Sequence, residues 1–302
     1  MTEDVLFSLP DLPSPPVAAA TAPLPVPEPA PPAVPDLPSP VVRLLALGDQ
    51  FTQHNDHLSR LRPAYGAARG HASAQFLVST CLEAVQAIED QPMYGNVSMT
   101  EATIRIKQLA VLTGQAVRHL AEAKALLGAS ASESGPPSRD GEIERQIQLA
   151  RELTALAPVA AVESASAVAS EIHRRRSTST TATDGLAPAE QAALHATARG
   201  HVVIGRSQGQ DSVHSRGSSV HIDSVRALEG RGLIAIEPAS APPAFNGGPP
   251  RDRVRLTLSG ALSVAAFLGH SPRTPARTTP TARPARAAAA PAPAPVRATP
   301  PR

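Results

Sequence analysis

"SVRALEGRGLIAIEP", Ser224–Pro238, is the stretch that decides the fold. Ile222, just before it, shares one helical face with Val225 and Leu228, and Gly230 or Gly232 then stops the helix. "LIAIE" follows at once and alternates, with Ile234 and Ile236 on one side, as in a half-buried strand. Upstream, Ser218 or Ser219 is placed to cap the helix by accepting its free N–H groups.

Downstream, "RDRVRLTL" alternates more strictly, setting Val254, Leu256 and Leu258 opposite Arg253, Arg255 and Thr257. The intervening "PASAPPAFNGGPP", Pro238–Pro250, is too rich in Pro and Gly to pair and reads as a hairpin loop. Ser259 then caps a last helix, "GALSVAAFL". On the N-terminal side, "APAEQAALHATARG" carries Pro188 and Glu190 in its first turn and Arg199-Gly200 at its end, a matching set of start and stop signals. "HVVIGRSQGQDSVHSRG" holds Val202, Ile204 and Val213 around a turn at Gly209, the pattern of a short hairpin.

The order helix, hairpin, helix, strand, long loop, strand, helix resembles the winged helix-turn-helix superfamily of bacterial regulators. "SSVHIDSVRALEGRGLIAIE" and "VRLTLSGA" carry the resemblance, through Leu228, Arg231, Gly232, Leu233 and Ile234 and through Leu256, Thr257 and Gly260. It covers the last third of the chain. One departure is that a hairpin stands where a short helix normally precedes the capped helix. The resemblance implies that the capped helix enters the major groove of duplex DNA and that the loop brushes its backbone.

On that helix the outward face contains Ser219, Val220, Asp223, Ser224, Ala227 and, at the edge, Arg226, with Ser218 beside them at the cap; His221 falls towards the packed side. Serines and an arginine suit phosphates and base edges, and Asp223 suits a cytosine amino group. The stronger phosphate-binding element is the arginine row Arg251, Arg253 and Arg255, with Arg206 and Arg216 adding from the first hairpin. The alternative for that row is a strand face kept soluble by arginine. The whole unit, 186–269, holds eight Arg against six Asp and Glu.

The rest of the chain frames this unit. Residues 1–40 form an acidic, Pro-rich arm and 270–302 an Arg/Ala/Pro tail; both hold too few large apolar residues to fold. Residues 41–128 read as a helical bundle. Its first helical segment ends at Arg69-Gly70 with a kink or split at Pro63. The second, capped by Ser73, buries Leu77, Cys81, Val85 and Ile88. The third opens at Thr100 and buries Ile106, Leu109, Thr113, Ala116, Leu120 and Leu127. A linker, 129–141, leads to a helical segment, 142–176, broken at Pro158, which either extends the bundle or pairs with another copy as a coiled-coil or association segment. A second linker, 177–185, precedes the C-terminal unit. The fold class is therefore mainly α with a small β-hairpin wing.

The chain has 302 residues, 33 of them Pro, 2% aromatic residues and a net charge of +2, so its core must be built from Leu, Ile, Val and Ala. The charge is uneven: five acids and no Lys or Arg in 1–40, six Arg and no acid in 271–302. The tail is either a basic arm for polyanions or a solvated Ala/Pro/Arg segment. "PDLPSP" occurs twice, at 10–15 and 35–40, as docking motifs for a protein partner or as low-complexity drift. No secretory pattern and no long apolar run is found, which predicts a cytoplasmic protein outside the membrane.

Catalytic chemistry is not legible. "HNDH", His54–His57, places two histidines three apart beside Asp56 but has no third ligand at a diagnostic spacing, so it reads as a solvated helix face and no metal is expected. "GRSQGQ" lacks the Lys-Ser/Thr of a phosphate loop, and Cys81 reads as a small apolar residue. The expectation is a non-enzymatic protein without cofactors. Its partner is duplex DNA, with possible homodimerisation through the helical region; the rival reading is a protein-interaction module built on the same wing and Pro-rich arms.

Overall fold

The computed structural model describes residues 39–60, 63–92, 95–130, 138–176, 185–207, 209–245 and 247–268. The Pro-rich arm, both PDLPSP motifs apart from Ser39 and Pro40, and the arginine tail lie outside the described residues. The chain is mainly helical with one small antiparallel sheet. Five helices come first: α1 (Pro40–Arg60), α2 (Pro63–Glu89), α3 (Val97–Ser130), α4 (Ser138–Thr154) and α5 (Ala157–Arg176). Then follow α6 (Pro188–Ala198), the hairpin β1 (Val202–Ser207) and β2 (Gln210–Ser215), α7 (Ile222–Gly230), the hairpin β3 (Ile234–Ala241) and β4 (Arg251–Leu256), and α8 (Leu258–Leu268). The sheet order is β2-β1-β4-β3, so the two hairpins join through β1 and β4.

The expected apolar stripes are buried apart from Leu127, which is half-buried. Leu77, Cys81, Val85 and Ile88 line α2, and Ile106, Leu109, Thr113, Ala116 and Leu120 line α3. Burial pushes the Cys81 thiol up to about 12, so the side chain is protonated and serves as a small apolar group.

The first helix break is where sequence and structure differ. α1 ends at Arg60 and α2 starts at Pro63, and α2 runs straight through Arg69-Gly70. Gly70 is there for space: a Cβ would come within 2.6 Å of Leu58 Cδ2, so its bare backbone lets α2 approach α1. Ser73 accordingly lies inside α2, and α3 starts at Val97 rather than Thr100.

The other two Arg-Gly pairs do end helices. After α6, Gly200 has φ +69° and donates to Thr197 O, while His201 donates to Ala196 O. After α7, Gly232 has φ +68° and donates to Glu229 O, while Leu233 donates to Leu228 O. These paired bonds satisfy the last carbonyls of each helix and turn the chain into a strand. Thr257 locks the second turn: its Oγ1 donates to Gly232 O at 2.7 Å and accepts from Gly260 N, which makes Thr257, not Ser259, the cap of α8. Gly260 packs against the Leu233 carbonyl with no room for a Cβ.

One apolar core runs from Val41 in α1 to Leu268 in α8, a second joins Leu58, Ala74, Leu120 and Ile143 among the first four helices, and the described residues all belong to one compact unit, Pro38–Arg302. α5 lies at its centre, with Ala157, Ala161, Val162, Ala165 and Val168 buried. The helical segment and the C-terminal unit, read from sequence as separated by linkers, thus share one interior. The stretch Arg139–Arg175 reaches a mean hydropathy of 1.4 over 18 residues, more apolar than the sequence reading allowed, but half of that window is buried by protein.

Candidate nucleic-acid interface

The expected reading helix is α7. Val225 and Leu228 are buried, and Ile222 packs against the same core, as their spacing predicts. Ser218, Ser219, Asp223 and Arg226 are exposed and Ser224 is half-buried, so the outer side faces solvent. Two local assignments change. The residue at the helix start is His221, with extended backbone and no side-chain cap bond, and it is exposed rather than packed. Ser218 instead pairs its hydroxyl with that of Ser215, at 3.1 Å.

Arg226 holds Asp211 of β2 at 2.7 Å and Glu229 at 2.8 Å, and Arg206 holds the other Asp211 oxygen at 3.1 Å. The hydrogen bond from Arg206 comes first among the causes that hold the Asp211 carboxyl below its ordinary range; the bond from Arg226 acts with it and desolvation opposes both. These are exposed pairs and contribute little to stability, so the arginines can exchange partners with phosphates.

The arginine row of β4 is not a free surface. Arg253 is 8% exposed and Arg255 9%. Arg253 grips Asp56 of α1 with two donors, Nε to Oδ2 at 2.7 Å and Nη2 to Oδ1, and its Nη1 donates to Gly200 O at 2.8 Å. Arg255 grips Asp49, one face of α1 further back, at 3.0 and 3.2 Å, and reaches Glu237 of β3 at 2.9 Å. Asp49 and Asp56 are seven residues apart and so share a helix face; Arg253 and Arg255 are two apart and so share a strand face. Two matched charge patterns thus clamp β4 onto α1. Arg251, the third of the row, is half-buried, with Nε donating to Pro242 O at 2.9 Å. Burial, then the neighbouring Arg253, pushes its guanidinium down from the usual range, with Asp56 acting against them.

The hairpin itself is longer than its composition implied. β3 continues past Pro238 to Ala241, which pairs with Arg251 across a bulge where Ala239 takes φ +52°. Asp252 accepts the Ala239 N–H at 2.8 Å and Arg60 of α1 donates to Ala239 O at 3.0 Å, which together hold that bulge. Leu258, expected on the apolar side of the strand, is exposed at the start of α8.

Behind the clamp lies HNDH. His54 is 1% exposed, not solvated, with Nδ1 3.1 Å from Ser73 Oγ. Burial, reinforced by His57, lowers its pKa to about 4. Among the described residues no group of three His, Cys, Asp or Glu is placed to hold a metal.

The pairing role of Asp49 and Asp56, whose shared helix face meets the strand face of Arg253 and Arg255, was missed from sequence. Also missed were Arg199 and Arg151, which line a cleft with Arg216 and Arg251. No protein-family model, curated protein or solved structure matches the chain.

Proposed function

We propose that this chain is a cytoplasmic DNA-binding accessory or regulatory protein of winged-helix type, with α7 facing the major groove. One observation carries the reading: α7 turns a polar outer side to solvent beside a paired hairpin, while its apolar side is anchored in the core. Arg253 and Arg255 leave the contact set, because their donors already hold Asp56, Asp49 and Glu237. Ser218, Ser219, Asp223, Ser224, Arg226, Arg206 and Arg216 remain, with the six-arginine tail adding nonspecific affinity.

The test is fluorescence anisotropy of the full chain on a duplex of about 20 base pairs across a salt series, with and without Arg206→Gln, Arg216→Gln and Arg226→Gln together. Each phosphate contact removed lowers the log–log salt slope by about 1. Absence of binding at about 50 mM salt, or a slope unchanged in the triple variant, rejects the reading.

A second reading, protein association through the helical region, is favoured by Val97, Ile104 and Val111 of α3. They are 72%, 51% and 63% exposed at seven-residue spacing, the repeat of a helix seam. Light scattering of Ile104→Glu beside the parent chain tests it: a dimer that becomes a monomer supports this reading, and a monomeric parent rejects it.

A further inference from the structure

A cleft of about 540 Å³ opens between the helical segment and the C-terminal unit. One wall comes from α1, the end of α4 and the first turn of α5; the other comes from the α6–β1 turn, the residues after β2, and β4. Five arginines line it, Arg151, Arg199, Arg216, Arg251 and Arg253, against two carboxylates, Asp56 and Glu152. Asp56 is already taken by Arg253, and Glu152 accepts from Gln148 at 2.8 Å.

Among the described residues, none of Arg151, Arg199, Arg216 and Arg251 has a carboxylate within ion-pair distance. Arg199 Nε is moreover buried without a hydrogen-bond partner. A buried donor on a charged group is normally satisfied, so this one calls for an acceptor from outside the chain. His201 reports the same excess of positive charge: after burial, the charges of Arg199, Arg216 and Arg253 hold its pKa down, against a bond to the Arg216 backbone.

The shape selects a small ligand. A hollow of this volume lies in the range of small-molecule sites, roughly 300–1,000 Å³, whereas a duplex is too wide to enter it. Leu156, 76% exposed, and Val159 give the rim an apolar face on which an organic group can lie. Guanidinium forks match phosphate oxygens in geometry as well as charge.

We propose that this cleft binds a small phosphorylated molecule, its phosphate held by Arg199, Arg216 and Arg251 and its organic part lying against Leu156 and Val159. Ser215 at the cleft hydrogen-bonds Ser218 at the approach to α7, so an occupied cleft is in direct contact with the segment leading into that helix. Of the proposed DNA contacts the site shares Arg216 alone.

Calorimetric titration of the full chain at low salt, with inorganic pyrophosphate and with adenosine diphosphate, tests it. Saturable one-site binding of both probes is expected, tighter for the nucleotide if the rim takes the organic group. Arg216→Gln, at an exposed position, and Arg199→Gln each weaken binding by about tenfold or more, the scale of a lost charge-assisted contact. Arg206→Gln, on the hairpin outside the cleft, leaves it unchanged. No saturable binding of either probe overturns the proposal, and so does equal weakening by Arg206→Gln and Arg216→Gln. Pyrophosphate binding without duplex affinity retains the cleft while rejecting the DNA reading; duplex affinity without binding of either probe does the reverse.

Discussion

Arg253 and Arg255 on β4 hold carboxylates of α1 and β3 in bidentate contacts, whereas Arg199, Arg216 and Arg251 around the neighbouring cleft have no carboxylate within ion-pair distance among the described residues. The residue type is the same and the strand is partly the same. The partner differs: Asp49 and Asp56 stand on the one face of α1 that β4 crosses. An arginine's role is thus set by whether a distant element brings it a carboxylate, and its local spacing is silent on that.

The largest effect separates the two sets directly. Asp56→Ala leaves the Arg253 guanidinium buried without its counter-charge, which costs about 3–5 kcal/mol of stability in urea unfolding at neutral pH. Arg216→Gln, in the exposed set, changes stability by no more than about 0.5 kcal/mol. Similar losses in both variants would erase the distinction.

The next effect comes from another face of the helix that carries the clamp. His54 keeps a pKa of about 4 in the folded chain through burial, then through His57, against 6.5 when free. Between these values the unfolded chain binds a proton that the folded chain refuses. The stability contribution is therefore complete above pH 6.5 and is lost as pH falls towards 4. About 2 kcal/mol disappears between pH 7 and pH 5, and His54→Gln lacks that part of the acid sensitivity. Identical pH dependence in the two proteins would place His54 in contact with water. The smallest effect is Gly232→Ala, with open space for the methyl group but φ +68°, which costs about 1–2 kcal/mol for the left-handed backbone alone.

The C-terminal unit was largely legible because its signals are local. Arg199-Gly200 and Arg231-Gly232 each close a helix and feed a strand, and the alternation of Val254 and Leu256 marks the returning strand. The same dipeptide at Arg69-Gly70 misled, since a glycine that permits close helix packing looks identical in sequence to one that takes a left-handed turn. The candidate site was less legible. The outer side of α7 follows from helical periodicity, but the burial of Arg253 and Arg255 depends on α1, about two hundred residues earlier, and His54 of α1 packs against Ser73 of α2. Asp49 and Asp56 held the missing signal, a like-charge pair one heptad apart on α1.

A double-mutant cycle on Asp56→Ala and Arg253→Met, read by urea unfolding of the full chain, tests most directly whether β4 is clamped to α1 through this pair. The account predicts that the double variant loses far less than the sum of the single losses, with a coupling of about 2 kcal/mol or more. Losses that add to within about 0.5 kcal/mol would contradict it.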